Sequence, residues 1–417
     1  MKKLLALVVT VVTAVACCFG MAGCKKKDTS YKGIKKVENY ADIKVGFITL
    51  HDSSSTYDKN FIDAAEAVCK ELGVQYEITT NIPEQNACYT AAKKYAERKF
   101  NIVFADSFGH EKHILKAANE YPGTQFCHAT GTKAHTEKRG NFHNAFASIY
   151  EGRYLAGVAA GMKLKAMMDA DSTVVPKVGY VGAFPYAEVK SGYTSWFLGL
   201  RSIVPTATMD VKFTSSWYDY DEEKSAAEAL IQSGCVLISQ HADSMGAPDA
   251  CAAAGVPNVC YNVDSRTMTK DTKVSDSYII ASKINWAPYF RYMIDCVKNG
   301  VEIDYDWTGT FATGSVELLA LNEKVAAAGT QEKLNEVKAQ LIAGTLKVFD
   351  CSKFTVSGQN ITEYLADVDD KGDYKPETQV IKTLNGITYF AESEFRAAPY
   401  FDIDIDGITL RKRKQIT

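Results

Sequence analysis

The chain has 417 residues, 46% of them hydrophobic, 23% charged and 11% aromatic, with a formal net charge of −3. That length fits two domains, each able to bury a full core, and the near-balanced charge offers no broad basic field to nucleic acid. Modest Pro (10) and Gly (28), with one apolar run of near-spanning length, exclude collagen-like, broadly disordered and multi-span membrane classes.

That run comes first. Lys2 and Lys3 precede an apolar stretch over 4–22, which ends in Met21-Ala22-Gly23-Cys24. A basic start, an apolar core and small residues before a cysteine form an export-signal pattern. The segment resembles a bacterial lipoprotein signal. The resemblance implies cleavage of residues 1–23, acylation of Cys24 and a polar tether over 24–40. The mature chain would then sit on the outer face of the cell membrane, since two or three acyl chains at about 0.8 kcal/mol per buried CH₂ hold stably.

From Ile43 onward β-like apolar runs alternate with amphipathic stretches. Strands are expected at 45–50, 74–80, 102–105 and 125–129, with helices at 61–72, 84–98 and 110–121. A second series places strands at 178–182, 208–215, 236–239, 259–263 and 278–282. Its helices fall at 150–168, 189–203, 222–233 and 243–254. Such alternation predicts an α/β protein of two Rossmann-like lobes with parallel sheets. The first crossing is expected within 130–140. Residues 41–140 and 284–305 then form lobe 1, and 141–283 with 306–350 form lobe 2. Residues 351–417 read as a C-terminal β extension, with hairpin turns at Asn385-Gly386 and Asp406-Gly407. The run 411–414 reads as a solvated basic tail.

Open parallel sheets bind ligands beyond the carboxyl ends of their strands. Aromatic and polar residues recur at these ends: Asp52 and Tyr57, Asp106-Ser107-Phe108, Phe184, Trp217, His241 with Asp243, Asp264, and Lys283 to Trp286. Rings beside Asp, Asn and Lys suit a flat, hydrogen-bonding ligand. Singly, each residue also has a plain structural use; Asp243, for example, suits a helix N-cap.

Several stretches at these positions resemble the basic membrane protein family of extracytoplasmic binding lipoproteins. They are "KVGFITLHDSSSTYDKNF" (44–61), "NIVFADSFGH" (101–110), "FCHATG" (126–131), "IYEGRYLAGVAAGMK" (149–163), "VGYVGAFPYAEV" (178–189) and "LISQHADS" (237–244). The resemblance implies a type I periplasmic binding protein fold and capture of a purine nucleoside or nucleobase for an ABC-type permease. It gives Tyr57 and Phe184 the role of rings stacked on the base, and Asp264 and Lys283 the grip on ribose. Ser107, Phe108, Trp217, His241 and Trp286 would line the pocket, with Asp52, Asp58, Asn60 and Asp106 as candidates at the base edge. Asp243 completes the predicted site. The implied state is a monomer without cofactor or metal.

Two other classes share parts of this pattern. A ligand-sensing receptor for another small molecule, such as a sugar, would have the same fold. A nucleoside hydrolase would need catalytic groups, but the chain has no G-x-S-x-G elbow, P-loop or His-Glu-x-x-His motif. His110 and His113 stand at i, i+3 and read as surface histidines of a solvated helix. The eight cysteines after Cys24 form no close C-x-x-C pair and read as buried thiols.

Overall fold

A computed structural model describes residues 30–368 and 375–411. The signal-like segment, Cys24 and residues 412–417 lie outside the described residues.

The first lobe alternates β1 (Lys44–Ile48), α1 (Thr56–Leu72), β2 (Gln75–Thr79), α2 (Asn86–Glu97), β3 (Ile102–Ala105), α3 (Glu111–Glu120), β4 (Gln125–Ala129), α4 (Ala134–Glu137) and β5 (Phe142–Ala147). The second lobe follows with α5 (Ile149–Ala170), β6 (Lys177–Gly182), α6 (Ala187–Arg201), β7 (Thr208–Phe213) and α7 (Tyr220–Gln232). It continues through β8 (Ile238–His241), α8 (Gly246–Ala254), β9 (Asn258–Tyr261), α9 (Thr272–Ser277) and β10 (Tyr278–Ile284). The chain then returns to the first lobe as α10 (Ala287–Asn299) and β11 (Asp306–Gly309), and to the second as β12 (Val316–Leu318) and α11 (Thr330–Ile342). Four short strands and one sheet-joining strand end it: β13 (Leu365–Ala366), β14 (Thr378–Gln379), β15 (Ile381–Leu384), β16 (Ile387–Phe390) and β17 (Ile408–Arg411).

The first sheet has the order β11-β5-β4-β3-β1-β2 and is parallel throughout. The second, β12-β10-β9-β8-β6-β7-β17, is parallel except for the β10–β12 pair. Strands β3, β4 and β5 are buried at every residue; β3 is an unbroken apolar run, while β4 and β5 also bury Gln125, His128, His143 and Asn144. Helix α5 is buried over most of its length, and it meets α6 through glycines. A Cβ at Gly157 would stand 1.9 Å from Trp196 O, and one at Gly199 2.0 Å from Tyr154 O. Only a residue without a side chain allows that approach.

The lobe boundaries differ from the sequence reading. Strand β5 pairs with β4, and β11 pairs with β5 (Asp306↔Asn144), so both belong to the first sheet although the expected cuts after 140 and 305 gave them to the second. The chain reaches β5 from β4 through only the four-residue α4, and β11 pairs with a strand far earlier in sequence, so neither closes a local βαβ unit. The expected polar tether is also docked from its seventh or eighth residue on. Tyr31 bonds Glu302, Val37 N donates to Val297 O (3.2 Å), and Tyr40 Oη donates to Asp295 (2.7 Å).

In the C-terminal region the Asn385-Gly386 turn forms as expected, with φ of 51° and 82° joining β15 and β16. The Asp406-Gly407 turn does not make a hairpin. It delivers β17 parallel to β7, at the edge of the second sheet (Ile408↔Met209). The turn residues read correctly; the partner strand lies some two hundred positions away in sequence, beyond any local signal. Arg411 pairs with Asp210 at 2.8 Å rather than standing free. Phe349, Phe354, Phe390 and Phe401 of this region join the second lobe's core, and all eight cysteines among the described residues are buried and unbridged. Phe401 is fully buried and stacks on Phe349 at 4.3 Å. Phe401→Ala should therefore cost about 3–5 kcal/mol, measured as a lowered midpoint in urea unfolding followed by near-UV circular dichroism.

Candidate functional site

The carboxyl ends of both sheets face one narrow cleft with a cavity volume of about 20 Å³, lined by Leu50, Tyr57, Asp58, Ser107, Phe108 and Thr130 from the first lobe and Glu188, Trp217, His241 and Asp243 from the second. That is room for about one water molecule, so a small ligand enters this cleft only when the lobes part. The lobes stand closed over it. Thr56 N donates to Asp243 O at 2.8 Å, and the Phe108 and Tyr186 rings approach to 5.8 Å across the gap.

The first-lobe wall starts from a capped helix. Ser55 caps α1, its hydroxyl accepting from Asp58 N (3.2 Å) and donating to the Asp58 carboxylate (2.5 Å). His51 N adds a bond at 2.7 Å. Burial opposes the charge of Asp58, but these donors hold its carboxyl below the usual range. Asp106 lies behind it, fully buried, with Leu50 N on Oδ1 at 3.1 Å. Burial, and then the charge of Asp58, push Asp106 well above the carboxylate range. Tyr57 Oη donates to Asp106 O at 2.9 Å, and Ser107 Oγ donates to Glu84 at 2.6 Å. Thr130 takes φ of 61°, an outlier for a β-branched residue, and its buried Oγ1 has no partner.

On the second lobe, Phe184 stacks on Tyr186 (5.0 Å) and stands edge-on to Trp217 (5.1 Å). Glu223 of α7 accepts from Ser244 N and Asp219 N and so fixes the loop that carries Asp243. Burial pushes Glu188 up to about 7, opposed by Arg153. Asp243 is pushed well above its ordinary value by burial and then by Asp58 across the cleft. His241 is pushed down by burial and by Arg153, so it is neutral. Arg153 itself is buried behind the wall, with Nη1 on Gln240 O at 2.8 Å and its guanidinium over Tyr261.

Of the predicted residues, Tyr57, Asp58, Ser107, Phe108, Trp217, His241 and Asp243 therefore come together. Others do not line the cavity. Phe184 supports Trp217 from behind. Asn60 donates to Ile284 O at 2.5 Å, and Asp106 sits beneath Asp58. Asp264 is clamped by Arg266 Nε at 2.8 Å, and Lys283 lies 3.5 Å from Glu317. Trp286 is 1% exposed and stacks on Phe61 at 4.3 Å, so it belongs to the first lobe's core. His110 is buried too, its Nε2 on Ile82 O at 2.8 Å, not a surface residue. Among the described residues no group of three potential ligands could hold a metal. The sequence reading missed Leu50, Thr130, Glu188 and Arg153. The last two sit in helices α6 and α5, where a charge normally reads as solvent-facing.

Residues 32–348 match the family described as PnrA-like ABC transporter substrate-binding proteins, Bmp. The chain belongs to the Bmp family. Bmp proteins are solute-binding proteins rather than enzymes. A purine-binding protein of Brucella abortus is 29% identical over 79% of this chain and 93% of its own length. A putative ABC transporter glucose-binding protein of Haloferax volcanii is 33% identical, over 52% of this chain and about half (51%) of its own length. A nucleoside-binding protein of Lactococcus lactis is 22% identical over 54% of this chain and 62% of its own. The fold matches an ABC solute-binding protein of Aeropyrum pernix with a TM-score of 0.61 at 15% identity, over 76% of this chain and 94% of that one. One from Conexibacter woesei gives 0.58 at 20%, over 73% and 98%.

The carboxyl pair in this Bmp cleft has a pH signature. Because Asp106 has a higher pKa folded than unfolded, folding takes up a proton above pH 4, and stability falls as pH rises toward the folded value. Asp106→Asn mimics the protonated carboxyl and removes that loss. The variant should be more stable than the parent at pH 8, with the difference shrinking at pH 5, as read from urea midpoints at both values.

Proposed function

We propose that this Bmp protein is a lipid-anchored, extracytoplasmic binding protein that captures a purine base or nucleoside between its lobes for an ABC importer. The observation that carries the reading is the pairing of rings from opposite lobes, Tyr57 and Phe108 against Trp217, around one narrow cavity edged by carboxyls and hydroxyls. Such a slot suits a flat ligand with a polar rim, each aromatic contact adding about 0.5–1.5 kcal/mol beyond area burial. The purine- and nucleoside-binding names of the Brucella and Lactococcus relatives agree with it. A second reading, a sugar such as glucose, is favoured by the name of the Haloferax relative. Asp264 and Lys283, expected at ribose, are engaged by Arg266 and Glu317, which favours a base-centred site over a sugar-centred one.

Titration calorimetry with adenine, guanine, adenosine, guanosine and glucose separates the two. Purine binding with no heat from glucose is expected, and Trp217→Ala should weaken it about tenfold, or ~1.4 kcal/mol. Glucose binding without purine affinity would replace the reading by the second.

The anchor is part of the same proposal. Few residues separate Cys24 from the docked Tyr31, and at about 3.4 Å each they reach about 24 Å. The face of the first lobe that holds residues 31–40 would then lie close to the bilayer. Cys24→Ala should release the protein from the membrane fraction, read by immunoblot of membrane and soluble fractions; retention in the membrane would refute the anchor.

A further inference from the structure

Among the groups that line the cleft, carboxyls and hydroxyls outnumber the two ring donors, the Trp217 indole and the neutral His241 imidazole. Three carboxyls line it: Asp58, Glu188 and Asp243. Two of its three hydroxyls have committed their protons elsewhere, Tyr57 to Asp106 O and Ser107 to Glu84, so toward the cavity they can only accept. The third, Thr130 Oγ1, is buried without a partner in a residue 3% exposed. Asp243 is 5% exposed, yet no described residue donates to its carboxyl oxygens. For Glu188 the nearest donor is His241 Nε2, at 3.5 Å. Arg153 is the guanidinium beside this wall, but it points one nitrogen at Gln240 O and stacks on Tyr261, outside the lining.

A buried acceptor without a donor is unfavourable, and the cavity is where a donor can enter. We propose that Glu188 and Asp243 are specificity residues that select a purine bearing an exocyclic amine next to a ring N–H, the 2-amino-6-oxo edge, over purines lacking that amine. The proposal rests on the purine reading above. A carboxylate can take two parallel N–H donors from such an edge. A 6-oxopurine without the amine offers one donor there. A 2,6-dioxopurine turns a carbonyl toward the acceptors, which is repulsive. The buried, unpartnered state of Asp243 and the raised proton affinities of both carboxyls agree with a wall waiting for donors.

The test is calorimetry on the full mature chain with pairs that differ by that one group: guanosine and inosine, guanine and hypoxanthine, with xanthosine as the third arm. At least tenfold tighter binding of the amino member is expected in one of the two pairs. In Glu188→Gln, and separately in Asp243→Asn, the ratio should fall to within threefold; either variant suffices if the other does not fold. Purine binding with equal affinity inside both pairs, a preference for xanthosine, or an unchanged ratio in both variants would overturn the selectivity and leave the purine reading standing. Failure of every purine to bind would overturn that reading, and the selectivity with it.

Discussion

Thr56 N meets Asp243 O at 2.8 Å, backbone to backbone, and much of the cleft's chemistry depends on that contact. Thr56 opens α1, and its neighbours Tyr57 and Asp58 are the first-lobe floor. Asp243 hangs from the loop after β8 and is the second-lobe wall. One hydrogen bond therefore sets the separation of the two acid groups. With the lobes closed, Asp58 and Asp243 feel each other through protein rather than water, where charges interact several-fold more strongly. Asp243 is raised by burial and then by Asp58, and the second of these causes acts only while the lobes are closed.

The region after residue 348, past the end of the family match, is tied to that closure from the opposite side. It extends the second sheet with β17 and fills its core with Phe390 and Phe401. It also reaches the other lobe. Val368 O accepts from His135 at 2.5 Å, and Ala397 N donates to Asp306 in β11 at 2.8 Å. Tyr150, at the start of the crossing helix α5, donates to Glu392 O at 3.2 Å. The extension thus contacts both lobes and a crossing, so any opening of the lobes must stretch or shift these bonds. A fold whose lobes rotate about three crossings has here a fourth connection, noncovalent and of modest strength.

Much of the fold was legible because parallel strands announce themselves. The runs at 102–105 and 125–129 coincide with β3 and β4; full burial makes β3 wholly apolar, and Phe126, Cys127 and Ala129 keep β4 legible despite its buried Gln125 and His128. Strands β5, β11 and β17 were not legible as members of their sheets, since membership depends on partners distant in the chain. The site divides the same way. Ring and acid residues just past strand ends, such as Tyr57, Trp217 and Asp243, were readable because position after a strand is itself the signal. Trp286 sits after β10 too, but Phe61 on α1 takes its ring into the core, and no sequence pattern distinguishes those outcomes. Glu188 was missed because it begins a helix, where an acid reads as complementing the dipole.

A closed cleft lined with acids carries a cost that the ligand can remove. Without a donor, Asp243 and Glu188 are desolvated acceptors; opening the lobes hydrates them, and closing the lobes requires protons or N–H groups. A ligand that brings N–H donors binds the closed state better than the open one, and that difference is all a ligand can use to shift a conformational equilibrium. Aromatic contacts act in the same direction, since rings of the first lobe (Tyr57, Phe108) and of the second (Trp217) can meet one ligand together only in the closed state. Glu188 and Asp243 both belong to the second lobe, and the first-lobe acid Asp58 already accepts from His51 N and Ser55 Oγ, so closure brings the ligand's edge to the second-lobe pair. Under the proposed reading recognition and closure are coupled, because rings of both lobes would enclose the ligand's faces while the second-lobe carboxyls take its N–H edge.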